Sequence, residues 1–414
     1  MKNWYHIFFF CLFFPATTYA QFWSFGTPVD VTSGYVDKVY HHLESAGRRN
    51  IAVSSQTIAV VWEDNRNGSP AVYLALKNKN AADFSTELKI SFSGEAYEPS
   101  IAALTGNRFA VSWEEDGKVF VRVINAQQLK SPKLAAAIKL PTKEAMQSGL
   151  TARGEQLFVT FSERAGRYSH IRLIQLKTDT EENLSLLTDC VVDPDSVKDD
   201  QLYPTAVVID NQIMIAWEDR RMGHTIIMGS LSQPGKFCQF SAPLRISKRP
   251  GERKLPYGKG HGVSRVALGQ YGKSEFLAAW ADKRNFRDGY DIYASVYDKI
   301  GLWEANSSVQ DEFGGVARQW HTTIASHLNG HLVVAWSDER EDSSDIFYSW
   351  FENGEWSEDI PVPAASGIGE ESHPSITFDA DGNLHIAWVV RQEVGGTTRL
   401  RYMSGRLLQT EMVR

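Results

Sequence analysis

The chain has 414 residues, with 43 basic against 50 acidic side chains and a formal net charge of −7 at neutral pH. This mild negative balance, with the signs interspersed and no Lys/Arg block, argues against a nucleic-acid backbone as partner. No stretch approaches the roughly 20 apolar residues of a membrane helix, so no membrane span is expected, and nothing in the composition implies a cofactor or a bound metal.

In chain order, residues 1–20 read as an export signal: Lys2 supplies the positive end, 7–14 the apolar run, and Thr18, Tyr19 and Ala20 a small-residue cleavage pattern before Gln21. Cys11 sits inside that run and reads as filler. The expectation is a secreted or periplasmic protein with one domain over residues 21–414. Residues 25–32 (Phe-Gly-Thr-Pro-Val-Asp-Val-Thr) resemble the outer-strand segment 240–247 but precede the first repeat, so they have no blade of their own. They are expected to pair near 399–403 and close a ring; the rival for that outer position is 407–413.

One phrase then returns seven times: an apolar strand, a polar or Gly turn, and a second strand ending on an aromatic. The closing aromatics are Trp62, Trp113, Phe161, Trp217, Trp280, Trp336 and Trp388. Their spacing fits propeller blades of roughly 40–50 residues with insertions, not solenoid repeats of about 20–35. In 212–217, Ile213, Ile215 and Trp217 share one face because strand side chains alternate, and Ala216 leaves the other face small. Ala279, Ala335 and Ala387 repeat that choice, as stacked sheets require. First strands fall at 50–53, 100–103, 150–153, 205–209, 264–268, 322–326 and 375–378. Third strands start at Asp291 and Asp345, and fourth strands lie at 240–246 and 356–362. Helical signal is nearly absent, a weak case at 144–146 aside. The expected fold is an all-β single β-propeller of about seven four-stranded blades, closed by an N-terminal strand.

Cys190 and Cys238 are expected to pair as a disulfide, with two separate buried thiols the alternative. Asp193, Asp195, Asp199 and Asp200 read as a solvated acidic loop, with calcium binding the minor alternative. The 379–383 segment (Asp-Ala-Asp-Gly-Asn) reads as a hairpin turn with Gly382 at positive φ.

After five of the seven aromatics comes an acid-x-Arg turn: Asp64/Arg66, Asp219/Arg221, Asp282/Arg284 and Asp338/Arg340, with Glu163/Arg164 a compressed form. With Asp-Ile-Tyr at 291–293 and Asp-Ile-Phe at 345–347, this resembles the Trp-x-Asp-x-Arg…Asp-Ile-Tyr repeat of sialidase-like and TolB-like bacterial propellers, over almost all of 21–414. The resemblance implies the fold and leaves activity open. The pairs have a plain structural use, the carboxylate accepting turn N–H groups and the guanidinium bridging to it. The sialidase Arg-Ile-Pro motif is missing, and 352–356 is a degraded Asp-box, so no sialidase catalytic residue carries over.

Candidate ligand-binding positions are those entering the first strands, which line a propeller's channel: Arg48, Glu98, Tyr203, His261, His321 and His373, with Tyr97 and Trp320 adjacent. Such a set binds a sugar by stacking and polar contacts, supplies acid/base chemistry, or merely satisfies channel hydrogen bonds. A metal held by His261, His321 and His373 lacks any preorganising spacing. The leading expectation is a non-catalytic module binding a glycan or protein; the alternative is a glycoside hydrolase or lyase acting at the channel mouth.

Overall fold

The computed structural model describes residues 19–411 apart from 35–37, 44–46, 196–197, 249–256, 258–261, 286–288, 312–315, 342 and 394; for 19–22 and 409–411 only the backbone is described. Seven antiparallel sheets stand in chain order, and the described residues contain no helix. Numbered from the N-terminus, blades 1 to 7 carry as second strands Thr57–Asp64, Arg108–Glu115, Gln156–Ala165, Gln212–Asp219, Glu275–Asp282, Leu332–Asp338 and Leu384–Arg391. Most sheets count five strands because one position is split. In blade 4 the outer position is Lys236–Phe240 followed by Leu244–Arg245, and in blade 6 it is Glu355–Trp356 followed by Ile360–Pro361.

Large-against-small alternation builds seven cores, each between two neighbouring blades. Between blades 3 and 4, Trp217, Ile213 and Ile215 meet Phe158, Ile171 and Leu173. Between blades 5 and 6, Trp336 and Val334 meet Ala279, Ala281 and Leu277. All six tryptophans that close second strands are fully buried, and Ala216, Ala279, Ala335 and Ala387 are at most 1% exposed. The small face is what admits the neighbouring blade.

The acid-x-Arg turn secures four of these tryptophans. The Trp62 indole N–H donates to Asp64 Oδ2 at 2.7 Å, and Trp217, Trp280 and Trp336 donate to Asp219, Asp282 and Asp338 at 2.9, 2.9 and 3.0 Å. The other carboxylate oxygen accepts the backbone N–H of Arg66, Arg221, Arg284 or Arg340. Each guanidinium returns to the same carboxylate and reaches on to an outer segment, Glu87, Asn306 or Asp359 of its own blade or, for Arg221, Asp193 just after the outer strand of blade 3. The aromatic of the following Asp-Ile-Tyr or Asp-Ile-Phe lies under it: Arg284 is 3.7 Å from the Tyr293 ring centre and Arg340 4.2 Å from that of Phe347. The repeated motif is therefore one bonded unit.

Four expectations need correction. Residues 145 and 146 are strand, paired with Glu163 and Ser162 at the start of Ala145–Arg153, so the helical reading of 144–146 fails. Glu163 bonds Arg172 across its hairpin while Arg164 stays exposed, so blade 3, whose Phe161 has no indole N–H, does not repeat the turn. Asp193 is 4% exposed, bonded to Arg221 and Gln201, and not part of a solvated loop. Residues 407–411 continue blade 7's third strand Thr398–Glu411 and are not a separate outer strand.

Ring closure follows the register expected: Val29 pairs with Tyr402 and Asp30 with Arg401. Tyr19–Phe25 extends the closure, Phe25 opposite Gly405 and Trp23 opposite Leu407. Cys190 and Cys238 form a disulfide with a Cα–Cα distance of 5.8 Å, joining the outer strands of blades 3 and 4. In the 379–383 turn, Asp379 Oδ1 accepts the N–H groups of Asp381 and Asn383, with Gly382 at φ +80° as expected.

Candidate functional site

First strands begin several residues earlier than the apolar pattern indicates, and this places the candidate residues. In blades 2 to 7 they run Ala96–Ala103, Ala145–Arg153, Gln201–Ile209, Val263–Tyr271, Gln319–Ser326 and Glu370–Phe378. Each is broken at one equivalent place by a bulge, where two residues face one on the second strand. The leading bulge residue is Glu98, Gln147, Tyr203, Arg265, His321 or His373, all at φ between +49° and +61°. An inserted residue interrupts alternation, re-aiming one side chain that regular pleating would place on a blade face. Six non-glycine residues in the left-handed region at one structural position is backbone strain held by its surroundings. In blade 1 the first strand is split into His41–His42 and Ile51–Val53, and Arg48 lies in the intervening loop.

The bulge N–H groups lose their ladder partners and find side chains of the preceding blade. Glu98 N–H donates to Glu63 Oε2 (2.7 Å), Tyr203 to Gln147 Oε1 (2.8 Å), Arg265 to Glu218 Oε1 (2.9 Å) and His373 to Ser337 Oγ (3.1 Å). Ser148, second in its bulge, donates to Glu114 Oε1 (3.0 Å). Glu63, Glu114, Glu218 and Ser337 all occupy the x position of Trp-x-Asp or Trp-x-Glu.

One arc of the mouth is charged and closely bonded. The buried Arg48 bridges to Glu98 at 2.8 Å and donates from Nε to the Ser148 carbonyl at 2.9 Å. Burial, with the charge of Glu98 added, pushes Glu114 up to about 9 despite the nearby Arg48 cation, so it carries its proton at neutral pH. The Arg265 guanidinium lies 3.2 Å from the Tyr203 ring centre and 3.3 Å from Glu218 Oε1. The opposite arc is neutral and aromatic. His321 and His373 stack with ring centres 3.7 Å apart, Trp320 stacks on His321 at 5.2 Å, and His42 meets His373 edge-on at 5.4 Å. Burial lowers His321 to about 3 and holds His373 well below the usual imidazole range, so both rings are uncharged near neutrality. Their Nδ1 atoms bond to Ser337 and Ser372 hydroxyls.

The structure thus brings Arg48, Glu98, Tyr203, Trp320, His321 and His373 to one mouth. Tyr97 spends its hydroxyl on Glu95 at 2.8 Å instead. His261 lies outside the described residues; the fifth-blade position assigned to it is filled by Arg265. Gln147, Arg265 and the three glutamates were missed. The available signal was the two-residue offset from Trp to Asp, whose middle residue repeatedly carries an acid.

The fold and mouth define a seven-bladed propeller whose inner-strand bulges present a polar and aromatic site. Comparison with solved structures agrees on the fold. The chain is similar to Penicillium chrysogenum α-L-arabinanase complexed with arabinobiose: 10% identity, covering 74% of this chain and 92% of that one, TM-score 0.50. It is likewise similar to the β-propeller domain of the Trilobed protease from Pyrococcus furiosus: 11% identity, covering 90% and 97%, TM-score 0.51. No family model and no curated protein matches the chain.

Proposed function

We propose that this chain is an exported propeller that binds a glycan at the channel mouth without cleaving it. The observation that carries the reading is the state of the mouth carboxyls. Glu63, Glu114 and Glu218 are each tied to a backbone N–H of the next blade, and Glu98 is paired with Arg48. Glu98 lies close enough to Glu114 to raise its pKa, whereas hydrolysis of a glycoside uses two carboxyls about 5–9 Å apart across an open cleft. The Asp/Arg pairs are likewise consumed at the Trp turns. What faces a ligand is a neutral stack of Trp320, His321 and His373 flanked by Arg265 and Tyr203 of the preceding blades: a flat surface for a sugar's C–H face and polar groups for its hydroxyls. Export rests on the leader pattern and fits the Cys190–Cys238 disulfide.

Glu114 favours a second reading, because a carboxyl held protonated to about 9 is also what a general acid needs. One experiment separates the two. The arabinanase of similar fold holds arabinobiose, so arabino-oligosaccharides are the first ligands to titrate by calorimetry, with reducing-end release followed in parallel. The expected result is saturable binding, lost in Arg265→Ala and His321→Ala, with no product formed. Turnover that disappears in Glu114→Gln would establish the hydrolase instead, and no binding of any oligosaccharide would end the glycan reading.

A further inference from the structure

First and second strands meet the mouth at the start of one and the end of the other, so the hairpins joining them lie on the opposite face of the ring. There, the hairpins of blades 5 and 6 and the paired ends of the chain enclose a cavity of about 480 Å³. Its walls are aromatic: Trp23 from the N-terminal strand, Tyr271 from blade 5, and Trp350 and Phe351 from blade 6. Tyr271 and Phe351 pack with ring centres 5.1 Å apart, and Trp23 meets His331 edge-on at 6.3 Å. The rim is polar, with Glu275 and Lys299 3.8 Å apart and Asn329, Glu352 and Asn353 on the hairpins of blade 6.

Three ring nitrogen groups here lack partners among the described residues. The Trp23 indole N–H is buried without an acceptor, on a side chain 6% exposed. The His331 imidazole makes no side-chain hydrogen bond, and the Trp350 indole N–H finds no acceptor. Burial lowers the pKa of His331, so at neutral pH the ring offers one donor and one acceptor.

We propose that this cavity is a second saccharide site, distinct from the mouth and selective for uncharged sugars. A pyranose or furanose ring has an apolar C–H face, which the Trp and Tyr walls accept, and hydroxyls that both donate and accept, which a neutral imidazole, an indole N–H and amide side chains complement. The cavity falls in the usual range for small-ligand pockets, about 300–1,000 Å³. Two carboxylates against one ammonium at the rim disfavour carboxylated or phosphorylated sugars. The site is built from both chain ends, so it exists only in the closed ring.

The test uses cellotriose, xylotriose and arabinotriose as probes, with sialyllactose as the anionic comparison, read by tryptophan fluorescence and calorimetry on the full chain. At least one neutral trisaccharide is expected to bind the Arg265→Ala protein, in which the mouth is impaired, and to bind about tenfold or more weakly to Trp350→Ala. Because Trp350 is partly buried, Glu352→Ala, at an exposed rim position, supplies a variant that leaves the core intact and is also expected to weaken binding. The proposal is overturned if no neutral trisaccharide binds, if sialyllactose binds better, or if Arg265→Ala abolishes binding that Trp350→Ala and Glu352→Ala leave unchanged. Failure of the mouth reading alone has a different signature: binding lost with Trp350→Ala and untouched by Arg265→Ala.

Discussion

Asp338 accepts three hydrogen bonds, from the Trp336 indole, the Arg340 backbone and the Arg340 guanidinium, while fully buried. Removing such an acceptor leaves the indole N–H unpaired and the largely buried Arg340 cation with Asp359 alone, so Asp338→Ala is expected to cost about 3 kcal/mol. That is similar to Trp336→Ala, where a cavity is the cause. Urea unfolding of both variants checks this, and an Asp338→Ala loss under about 1 kcal/mol would reduce the motif to a surface ion pair. The mouth makes a pH prediction of two opposite signs. Glu114 binds its proton more tightly folded than unfolded, so stability falls as pH rises from its ordinary value of 4.5 toward about 9. His321, lowered from 6.5 to about 3, binds its proton more tightly unfolded, so stability falls as pH drops below 6.5. Melting temperature against pH is expected to lose its alkaline decline in Glu114→Gln and to soften its acid decline in His321→Gln. At this scale the sequence was informative where residues repeat, as in Trp-x-Asp-x-Arg. It was silent on Glu63, Glu114 and Glu218, because a carboxylate that accepts a neighbouring blade's N–H looks like any surface acid until the blades are stacked.

The inner strands show why the site was half legible. Apolar alternation marks where a strand packs between blades, and it stops at the bulge, so Tyr203 and His321 read as residues of an entering loop. In the structure the ladder resumes beyond the bulge, at Leu202 opposite Glu218 and at Trp320 opposite Ser337. The candidate residues are therefore fixed from both sides, as a preorganised site requires. The same reasoning explains the His261 assignment: without the bulge register, nothing distinguishes the fifth-blade position of Arg265 from nearby polar residues. The strain is testable. Tyr203 sits at φ +52°, a region that costs an L-residue about 1–2 kcal/mol and a β-branched one more. Tyr203→Gly is expected to unfold at higher urea than Tyr203→Val, although valine is the better strand former. The reverse order would mean that side-chain packing, and not the backbone, sets this position.

Across the whole molecule, two links act at a distance in sequence. The Cys190–Cys238 disulfide closes a loop with a sequence separation of 48, for which chain entropy gives about 4 kcal/mol. The Cys190→Ser/Cys238→Ser protein is expected to lose most of that. The second link is the closure of the ring. Val29 and Asp30 pair with Tyr402 and Arg401, Val31 N–H donates to the Leu400 carbonyl at 2.8 Å, and Thr32 Oγ1 accepts the Leu400 N–H at 3.1 Å. Val31 also enters the core between blades 7 and 1 beside Trp62 and Leu400. Without residues 23–32 the strand Thr398–Glu411 presents an unpaired edge, and the 7–1 core loses part of its cover. A propeller avoids aggregation by leaving no long edge open. Deleting 23–32 is therefore expected to lower the melting temperature and drive association, seen as early-eluting species in size-exclusion chromatography. Double substitution of Val29 and Val31 to Ala keeps the backbone pairing and is expected to lower stability without association, so the two variants separate the packing contribution from the edge. A deletion protein that stays monomeric and melts unchanged would show that Thr398–Glu411 needs no partner and that the ring is held shut by the remaining interblade cores alone.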